Sequence, residues 1–214
     1  MNGDGSNLTR LTNSPAGEIQ PAWSPDGTRI VFMRFDADVP ALWVMDVNGT
    51  DQYQLTFPTA GAGDGEARYS PDGSKIVFGS LRSGHFAVWT MHADGTHARQ
   101  ITPDSLEARM PDWSPDGNRI VFVDQICATC FAASNVYVVK ANGTALTQLT
   151  HDFGNNLTPA WSPDGERIVF IHQDYPTLGP PDIYLMDADG TGAANLTNSP
   201  ARDVSPDWQS LGKD

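Results

Sequence analysis

The sequence predicts an all-β protein, a β-propeller of four-stranded antiparallel blades, from three observations. A heptapeptide of the form P-x-W-S-P-D-G recurs along the chain, a run of β-branched residues follows it, and an Asn-Gly or Asp-Gly pair comes later in each unit. The aromatic residue of the heptapeptide returns at spacings of 46, 44, 48 and 47 residues. A period of about 45 residues with four strand-like segments per unit is typical of propeller blades. These aromatic residues are Trp23, Tyr69, Trp113, Trp161 and Trp208.

The first half of each unit predicts an inner strand, a tight turn and a second strand. The inner strand ends at the aromatic residue, which we expect to fill the space between adjacent blades. Ser-Pro-Asp-Gly then forms a turn, because Pro fixes φ, Asp can accept a backbone hydrogen bond and Gly takes a positive φ. The second strand is rich in Ile, Val and Phe, as a strand covered on both faces requires. Its four copies are 29–35, 75–80, 119–124 and 167–172.

The second half of each unit predicts a hairpin. A third strand ends at the Asn-Gly or Asp-Gly pair, which is a strong hairpin signal, and a short fourth strand ends in Leu-Thr or Ile-Thr. No stretch shows a sustained helical period, so we expect essentially no helix. The four complete blades are predicted at about 18–56, 64–102, 107–150 and 156–197, in a single domain over 1–214.

The two ends of the chain resemble parts of one more blade. Residues 1–12 match a hairpin turn with an outermost strand, and residues 201–210 match an innermost strand. We expect them to meet in a partial closing blade, which gives a five-blade-like ring without a free edge. Two alternatives stay open: the chain is a fragment of a larger ring, or a second chain completes it by self-association.

The repeated units resemble the WD40-like (PD40) repeat of the TolB-like β-propeller family over nearly the whole chain. The segments P-x-W-S-P-D-G-x-[RK]-I-V-F, then [IL]-[WY]-[VL]-M-D-x-[DN]-G-T, then L-T carry the resemblance. It implies a protein-interaction platform that requires no cofactor, in the periplasm or secreted. Related propellers precede the hydrolase domain of prolyl-oligopeptidase-type peptidases, but no G-x-S-x-G occurs here. The functional part of this expectation depends on fold analogy alone.

Composition narrows the class of partner. A formal net charge of −13 and a pI of about 4.5 disfavour a nucleic-acid surface, which needs a basic stripe. No window reaches the roughly 18 apolar residues of a membrane span. The printed start, MNGDGSNLTR, has no basic n-region or apolar h-region, so it predicts no signal peptide, and a cytoplasmic location stays open. We therefore expect a protein or peptide partner.

Oxygen-bearing residues recur five positions before the aromatic residue of most units. They are Glu18, Asp64, Asn156 and Asp203; the third unit has Ala at this position, and Glu107 directly precedes it. If these groups converge at one mouth of the channel, they form a ring suited to Ca²⁺, Mg²⁺ or a basic peptide. The competing interpretation is a set of solvated or turn-capping residues near strand starts.

Two loops between the second and third strands carry other candidate residues. Phe131, Tyr175, Pro176 and Leu178 are apolar loop residues, which a contact surface needs, although loop packing explains them equally well. Cys127 and Cys130 form a single C-x-x-C, whereas a zinc site takes about four ligands. A local disulfide or two free thiols is the interpretation we prefer.

The leading hypothesis is a non-catalytic propeller scaffold that binds a protein or peptide through the loop face or the channel mouth. A second hypothesis is a propeller hydrolase or lyase with an acidic, metal-dependent channel site. A third is a structural fragment or accessory domain of a longer protein. No His spacing typical of a metal or catalytic site supports the second hypothesis.

Overall fold

The computed structural model describes residues 4–36, 39–125, 134–152, 154–174 and 179–208. Sixteen strands in these ranges form four antiparallel sheets of four strands each, and no helix is present in them. The predicted fold class is confirmed. The first two blades are β1 (Glu18–Trp23), β2 (Arg29–Asp36), β3 (Val39–Asp46), β4 (Tyr53–Gln54), and β5 (Asp64–Tyr69), β6 (Lys75–Ser80), β7 (Ala87–His92), β8 (Arg99–Gln100). The third and fourth are β9 (Ala108–Trp113), β10 (Arg119–Asp124), β11 (Asn135–Lys140), β12 (Thr147–Gln148), and β13 (Asn155–Trp161), β14 (Arg167–Gln173), β15 (Asp182–Asp187), β16 (Ala194–Asn195).

Within the described ranges, no helix has the length and apolar character needed to cross a membrane.

The Ser-Pro-Asp-Gly turn joins the first and second strands of every blade by the chemistry that its residues predict. In the first copy, the Ser24 hydroxyl donates to Asp26 at 2.6 Å and the Thr28 amide donates to the same carboxylate oxygen at 3.0 Å. Gly27 has a φ of 70°, a conformation that glycine adopts readily. The same hydrogen bonds lower the pKa of the equivalent Asp72 to about 2. The turn therefore fixes the register of the two strands.

The Ile-Val-Phe segments of the second and third blades each pack against both neighbouring blades. Val31 of the first blade lies in one buried cluster with Ile76 and Phe78 of the second. Val77 then packs with the third blade, in a cluster that contains Phe122. Ile and Phe therefore face the preceding blade and Val faces the following one, which is why the segment is apolar at consecutive positions. The core of the molecule is this series of interfaces between blades.

The residue that ends each inner strand also lies between blades in the interior of the array. Trp113 and Trp161 are each 5% exposed and belong to the clusters between successive blades. The guanidinium of Arg119, at the start of the preceding second strand, lies 4.4 Å from the centre of the Trp161 ring. Trp23, in contrast, is 58% exposed, because it lies on the face of the first blade that points away from the second blade.

The N-terminal segment reproduces the outer hairpin of a blade although it belongs to no sheet. Gly5 and Asn7 have φ values of 82° and 55°, as Gly49 and Asp51 have 86° and 50°. The backbone carbonyl of Leu11 lies against Gly49, just as the carbonyls of Leu55, Ile101 and Leu149 lie against the hairpin glycines of the next blades. The segment therefore sits on the first blade where the outer part of a preceding blade would lie.

The C-terminal segment takes the place of an inner strand beyond the fourth blade. The Asp203 amide donates to the Pro181 carbonyl at 2.9 Å, as the Asn156 amide donates to Ser134 at 3.1 Å one blade earlier. The Trp208 indole donates to the Ala160 carbonyl at 3.2 Å. In the part of the chain that the structure describes, neither end segment is paired in a sheet. The shared closing blade stays a prediction.

Candidate functional site: a polar cavity on the propeller axis

A β-bulge at the same position of every inner strand shapes the channel. Pairing with the second strand shifts register between Ile19 and Ala22, and the three other blades show the same shift. The bulged residues have positive φ values of 46° to 58°, which are uncommon for residues other than glycine. They are Gln20, Glu66, Met110, Thr158 and, in the C-terminal segment, Ser205. The bulge changes the alternation of side chains along the strand and brings this position to the axis.

The bulged residues and their neighbours line one cavity of about 330 Å³ on the axis. We call it the axial cavity. Its walls come from all four inner strands and from the C-terminal segment. The lining residues are Gln20, Glu66, Arg68, Met110, Pro111, Asp112, Thr158, Pro159, Ala160, Ser205, Pro206 and Asp207. Among these described residues, Arg68 is the one cationic side chain beside three carboxyl groups.

Side chains on the cavity wall also connect successive blades. The Gln20 side-chain oxygen accepts the backbone N–H of Glu66 at 3.1 Å. One carboxylate oxygen of Glu66 accepts the backbone N–H of Met110 at 2.7 Å, and the other lies 3.4 Å from the Arg109 guanidinium. The bulges of the second and third blades therefore each present an N–H that the preceding blade accepts, which holds the first three inner strands in register around the axis.

Asp112 is the titratable group of the cavity with the largest change in pKa. Burial of the carboxyl group raises its pKa to about 6, although the Trp161 N–H that it accepts at 3.0 Å and the nearby charge of Arg68 act in the opposite direction. The Thr158 hydroxyl, on the same wall, is buried and has no hydrogen-bond partner among the described residues. The cavity thus offers a carboxyl group and a hydroxyl that a bound ligand could satisfy.

The five residues predicted for the channel mouth lie at or just beside strand starts, where most are bonded within or between blades. Asp64 is fully buried, accepts the Ser80 hydroxyl at 2.6 Å and pairs with Arg82 at 2.7 Å. Glu18 lies 3.9 Å from the Arg34 guanidinium. The remaining three differ in detail: buried Asn156 donates to the Ser134 carbonyl at 3.0 Å, Glu107 accepts the Phe86 amide at 3.0 Å, and Asp203 bonds Pro181 through its backbone.

These contacts leave no cation cage in the described residues. No group of three or more His, Cys, Asp or Glu side chains there is arranged to hold a metal ion. The reason is visible at Asp64, whose carboxylate already has a cationic partner and a hydroxyl donor. The loop-face candidates Phe131, Tyr175, Pro176 and Leu178, and the pair Cys127 and Cys130, lie outside the described residues.

The residues that line the axial cavity differ from those predicted for the channel mouth. The predicted residues lie about five positions before the aromatic residue, whereas the bulged residues lie three before it. The signal was present, because this position carries Gln20, Glu66 and Thr158, which are polar. What the sequence does not display is the bulge itself, since none of the bulged residues is glycine.

Repeated four-stranded sheets whose inner strands line a common axis define the class of protein as a β-propeller. A family model described as "TolB beta propeller domain" (PD40) matches residues 1–132 and 111–214. The chain belongs to this family.

One curated relative and two solved structures are similar to the chain. The chain is 38% identical over 53 residues to a "Tol-Pal system protein TolB" of Hahella chejuensis, a match that covers 25% of this chain and 12% of the relative. The crystal structure of TolB from Acinetobacter baumannii superimposes with a TM-score of 0.74 at 22% identity, over 91% of this chain and 47% of that one. An oligogalacturonate lyase from Vibrio parahaemolyticus gives 0.67 at 14% identity, over 89% and 56%.

The structural matches and the match to the curated relative support different conclusions. The structural similarities are below 25% identity and show the fold alone. The chain spans about half the length of the Acinetobacter baumannii structure, and its match spans a smaller part of the curated relative.

Proposed function

We propose that the chain is a non-catalytic scaffold that binds a protein or peptide partner, and that a basic segment of this partner enters the axial cavity. The observation that carries the proposal is the shared wall, because Glu66 of the second blade, Asp112 of the third blade and Asp207 of the C-terminal segment line one cavity. Relatives named Tol-Pal system protein TolB support a role in protein association. We further propose a periplasmic location, by the same family resemblance.

The chemistry of the wall favours a cationic guest. Partial burial raises the pKa of Asp112, so that ionising its carboxyl group costs free energy. A lysine or arginine side chain of the bound peptide, placed beside Asp112, would offset this cost. A backbone carbonyl of the same peptide could accept a hydrogen bond from the buried Thr158 hydroxyl. A volume of about 330 Å³ suits one or two side chains of an extended peptide. The net charge of −13 attracts such a partner from a distance.

A direct test uses the peptide Ac-GKRKG-amide and its acidic counterpart Ac-GEDEG-amide as probes in calorimetric titrations at low salt. We expect saturable binding of the basic peptide and none of the acidic one. Asp112→Asn should weaken binding about tenfold or more. Asp51→Asn is the matched control, because Asp51 is an exposed hairpin residue with a positive φ that Asn tolerates. Equal weakening by both variants, or no binding at all, would contradict the proposal.

The predicted loop face is the other surface of this proposal. Replacing 126–133 and 175–178 with Gly-Ser segments would remove Phe131, Tyr175, Pro176 and Leu178 without changing any residue that lines the axial cavity. Retained binding of the basic peptide in this variant is the outcome that assigns binding to the cavity. Loss of peptide binding with an unchanged unfolding midpoint would assign it to the loops.

A second candidate function is acid–base catalysis in the same cavity. The observation that favours it is the pKa of about 6 for Asp112, near Arg68, because such a carboxyl group can exchange protons near neutral pH. A structural relative named oligogalacturonate lyase makes oligogalacturonates the first substrates to test. Turnover with or without added Mn²⁺, lost in Asp112→Asn, would establish catalysis. Absence of turnover under both conditions would remove this candidate for that substrate.

A further inference from the structure

The outer hairpin of the second blade carries two histidines whose rings contact each other. The ring centres of His92 and His97 lie 4.4 Å apart, and the ring planes meet at 31°. Both side chains are exposed, and they flank the turn at Asp94 and Gly95. The structure describes all five histidines of the chain, and these two are the one pair of histidines in ring contact. They lie away from the axial cavity, so the cavity does not account for them.

The other blades form the same hairpin without histidine. His92 ends the third strand of its blade, and His97 follows the turn with a φ of 58°. Their equivalents are Asp46 and Asp51 in the first blade, Lys140 and Ala145 in the third, and Asp187 and Gly192 in the fourth. The hairpin fold therefore does not require this pair, and another use for it can be sought.

One hydroxyl group lies between the two imidazoles. The Oγ1 atom of Thr96 is 2.9 Å from Nδ1 of His97 and 3.4 Å from Nδ1 of His92. The Thr96 hydroxyl donates its hydrogen to the Asp94 carboxylate at 2.6 Å, so its lone pairs are left for the rings. The two Nδ1 atoms therefore point toward one position beside a carboxylate.

We propose that His92 and His97 bind a divalent transition-metal ion, Cu²⁺ or Zn²⁺, through their Nδ1 atoms. Imidazole nitrogen suits these ions, whereas Ca²⁺ and Mg²⁺ prefer oxygen ligands. A Zn–N bond is about 2.0–2.1 Å long, so both rings would move toward the shared position, which exposed side chains can do by rotation. In the bound state each ring is neutral, with the metal on Nδ1 and the hydrogen on Nε2.

The surroundings of the pair set the strength of binding. Two imidazoles are fewer than the three or four protein ligands of zinc sites, so water would complete the coordination and the affinity should be modest. The Asp94 carboxylate and the net charge of −13 attract a cation. Lys75, which faces His92 from the second strand, acts in the opposite direction. The site is therefore expected to bind metal reversibly and to leave positions open for exchange.

The experiment titrates the full chain with Cu²⁺ near neutral pH and counts the coordinated nitrogens by electron paramagnetic resonance. The background carries Cys127→Ser and Cys130→Ser, because thiols also bind copper. We expect one Cu²⁺ with two nitrogen ligands. His92→Gln and His97→Asn should each weaken binding by at least about tenfold, since loss of an outer-shell partner alone typically costs that much. His151→Gln, at an exposed histidine outside the pair, is the matched control and should change nothing.

A transplanted pair gives a second test that does not depend on a loss of binding. Asp187→His together with Gly192→His places histidines at the equivalent positions of the fourth blade, where Thr191 donates to Asp189 at 2.7 Å. Gly192 already has a φ of 66°, and a β-carbon there would contact only the Asp187 carboxylate, which the first substitution removes. A second Cu²⁺ should then bind.

Three results would overturn the proposal. They are absence of Cu²⁺ binding, a single coordinated nitrogen in the parent, and equal affinity of the parent and both histidine variants, which would indicate an adventitious ion only. Unfolding midpoints in urea check that each variant is folded. If His92→Gln or His97→Asn disturbs folding, the transplanted pair decides: a second Cu²⁺ supports the proposal, and none contradicts it.

Discussion

The carboxylate of Asp112 accepts the backbone N–H of Trp161 at 3.0 Å, and this bond joins the third and fourth inner strands beside the axial cavity. The same carboxyl group has a pKa raised by burial to about 6. One residue therefore connects two blades and faces the space where we propose that a ligand binds. Contacts between blades and the candidate site are consequently coupled, and pH should affect both.

Stability should depend on the protonation of Asp112. Its folded pKa of about 6 exceeds the reference value of 3.8, so the folded state binds more protons between these values. Stability from this group is therefore highest below pH 4 and decreases as pH rises to about 6, by an amount of up to about 3 kcal/mol. Urea unfolding from pH 4 to 8 should show this decrease in the parent and not in Asp112→Asn. The same pH slope in both proteins would contradict the assignment.

The Asp carboxylates of the Ser-Pro-Asp-Gly turns should have the opposite effect on stability, since they stabilise the fold more at neutral than at acidic pH. Hydrogen bonds from Ser70 and Ser74 hold the pKa of Asp72 at about 2, so its contribution is present above pH 4 and is lost as pH falls toward 2. Asp72→Ala should lower the free energy of unfolding at pH 7 by about 1 kcal/mol. Asp51→Asn serves as the exposed control and should change it little. Equal effects of the two substitutions in urea titrations would show that the turn bonds contribute nothing specific.

Substitution of Phe122 tests how closely the second and third blades pack. Its side chain is fully buried between the second and third blades, so Phe122→Ala should lower the free energy of unfolding by about 3–5 kcal/mol. Phe57→Ala, at a residue 78% exposed, should be within about 0.5 kcal/mol of the parent. A small loss for Phe122→Ala in thermal or urea unfolding would be inconsistent with close packing of the blades.

Docking of the N-terminal segment can be tested at one glycine. Gly49 and Gly27 both have positive φ, but a β-carbon at Gly49 would meet the Leu11 backbone, and one at Gly27 would meet open space. Both alanine variants should lose about 1 kcal/mol from backbone strain. Gly49→Ala should additionally release residues 4–12, seen as faster hydrogen exchange at Leu11. Unchanged exchange at Leu11 in Gly49→Ala would show that the segment does not dock there.

Much of the fold could be predicted from the sequence because its determinants are local. Asp26 and Gly27 form their turn with residues two or three positions away, and Val31 reveals a strand covered on both faces through its apolar neighbours. The site could not be predicted in the same way. The position of Glu66 on the axis depends on a bulge that leaves no glycine signature, and the pairing of Asp64 with Arg82 depends on a contact 18 residues away.

The central claim, that a basic segment binds in the axial cavity, can be tested most directly by zero-length carbodiimide cross-linking of Ac-GKRKG-amide, followed by peptide mapping. The lysines should form amide bonds with Asp112, Glu66 or Asp207, and an excess of Ac-GRRRG-amide, which has no amine to couple, should suppress these adducts. Adducts confined to hairpin carboxylates such as Asp94 and Asp189, with none on the cavity wall, would contradict the claim.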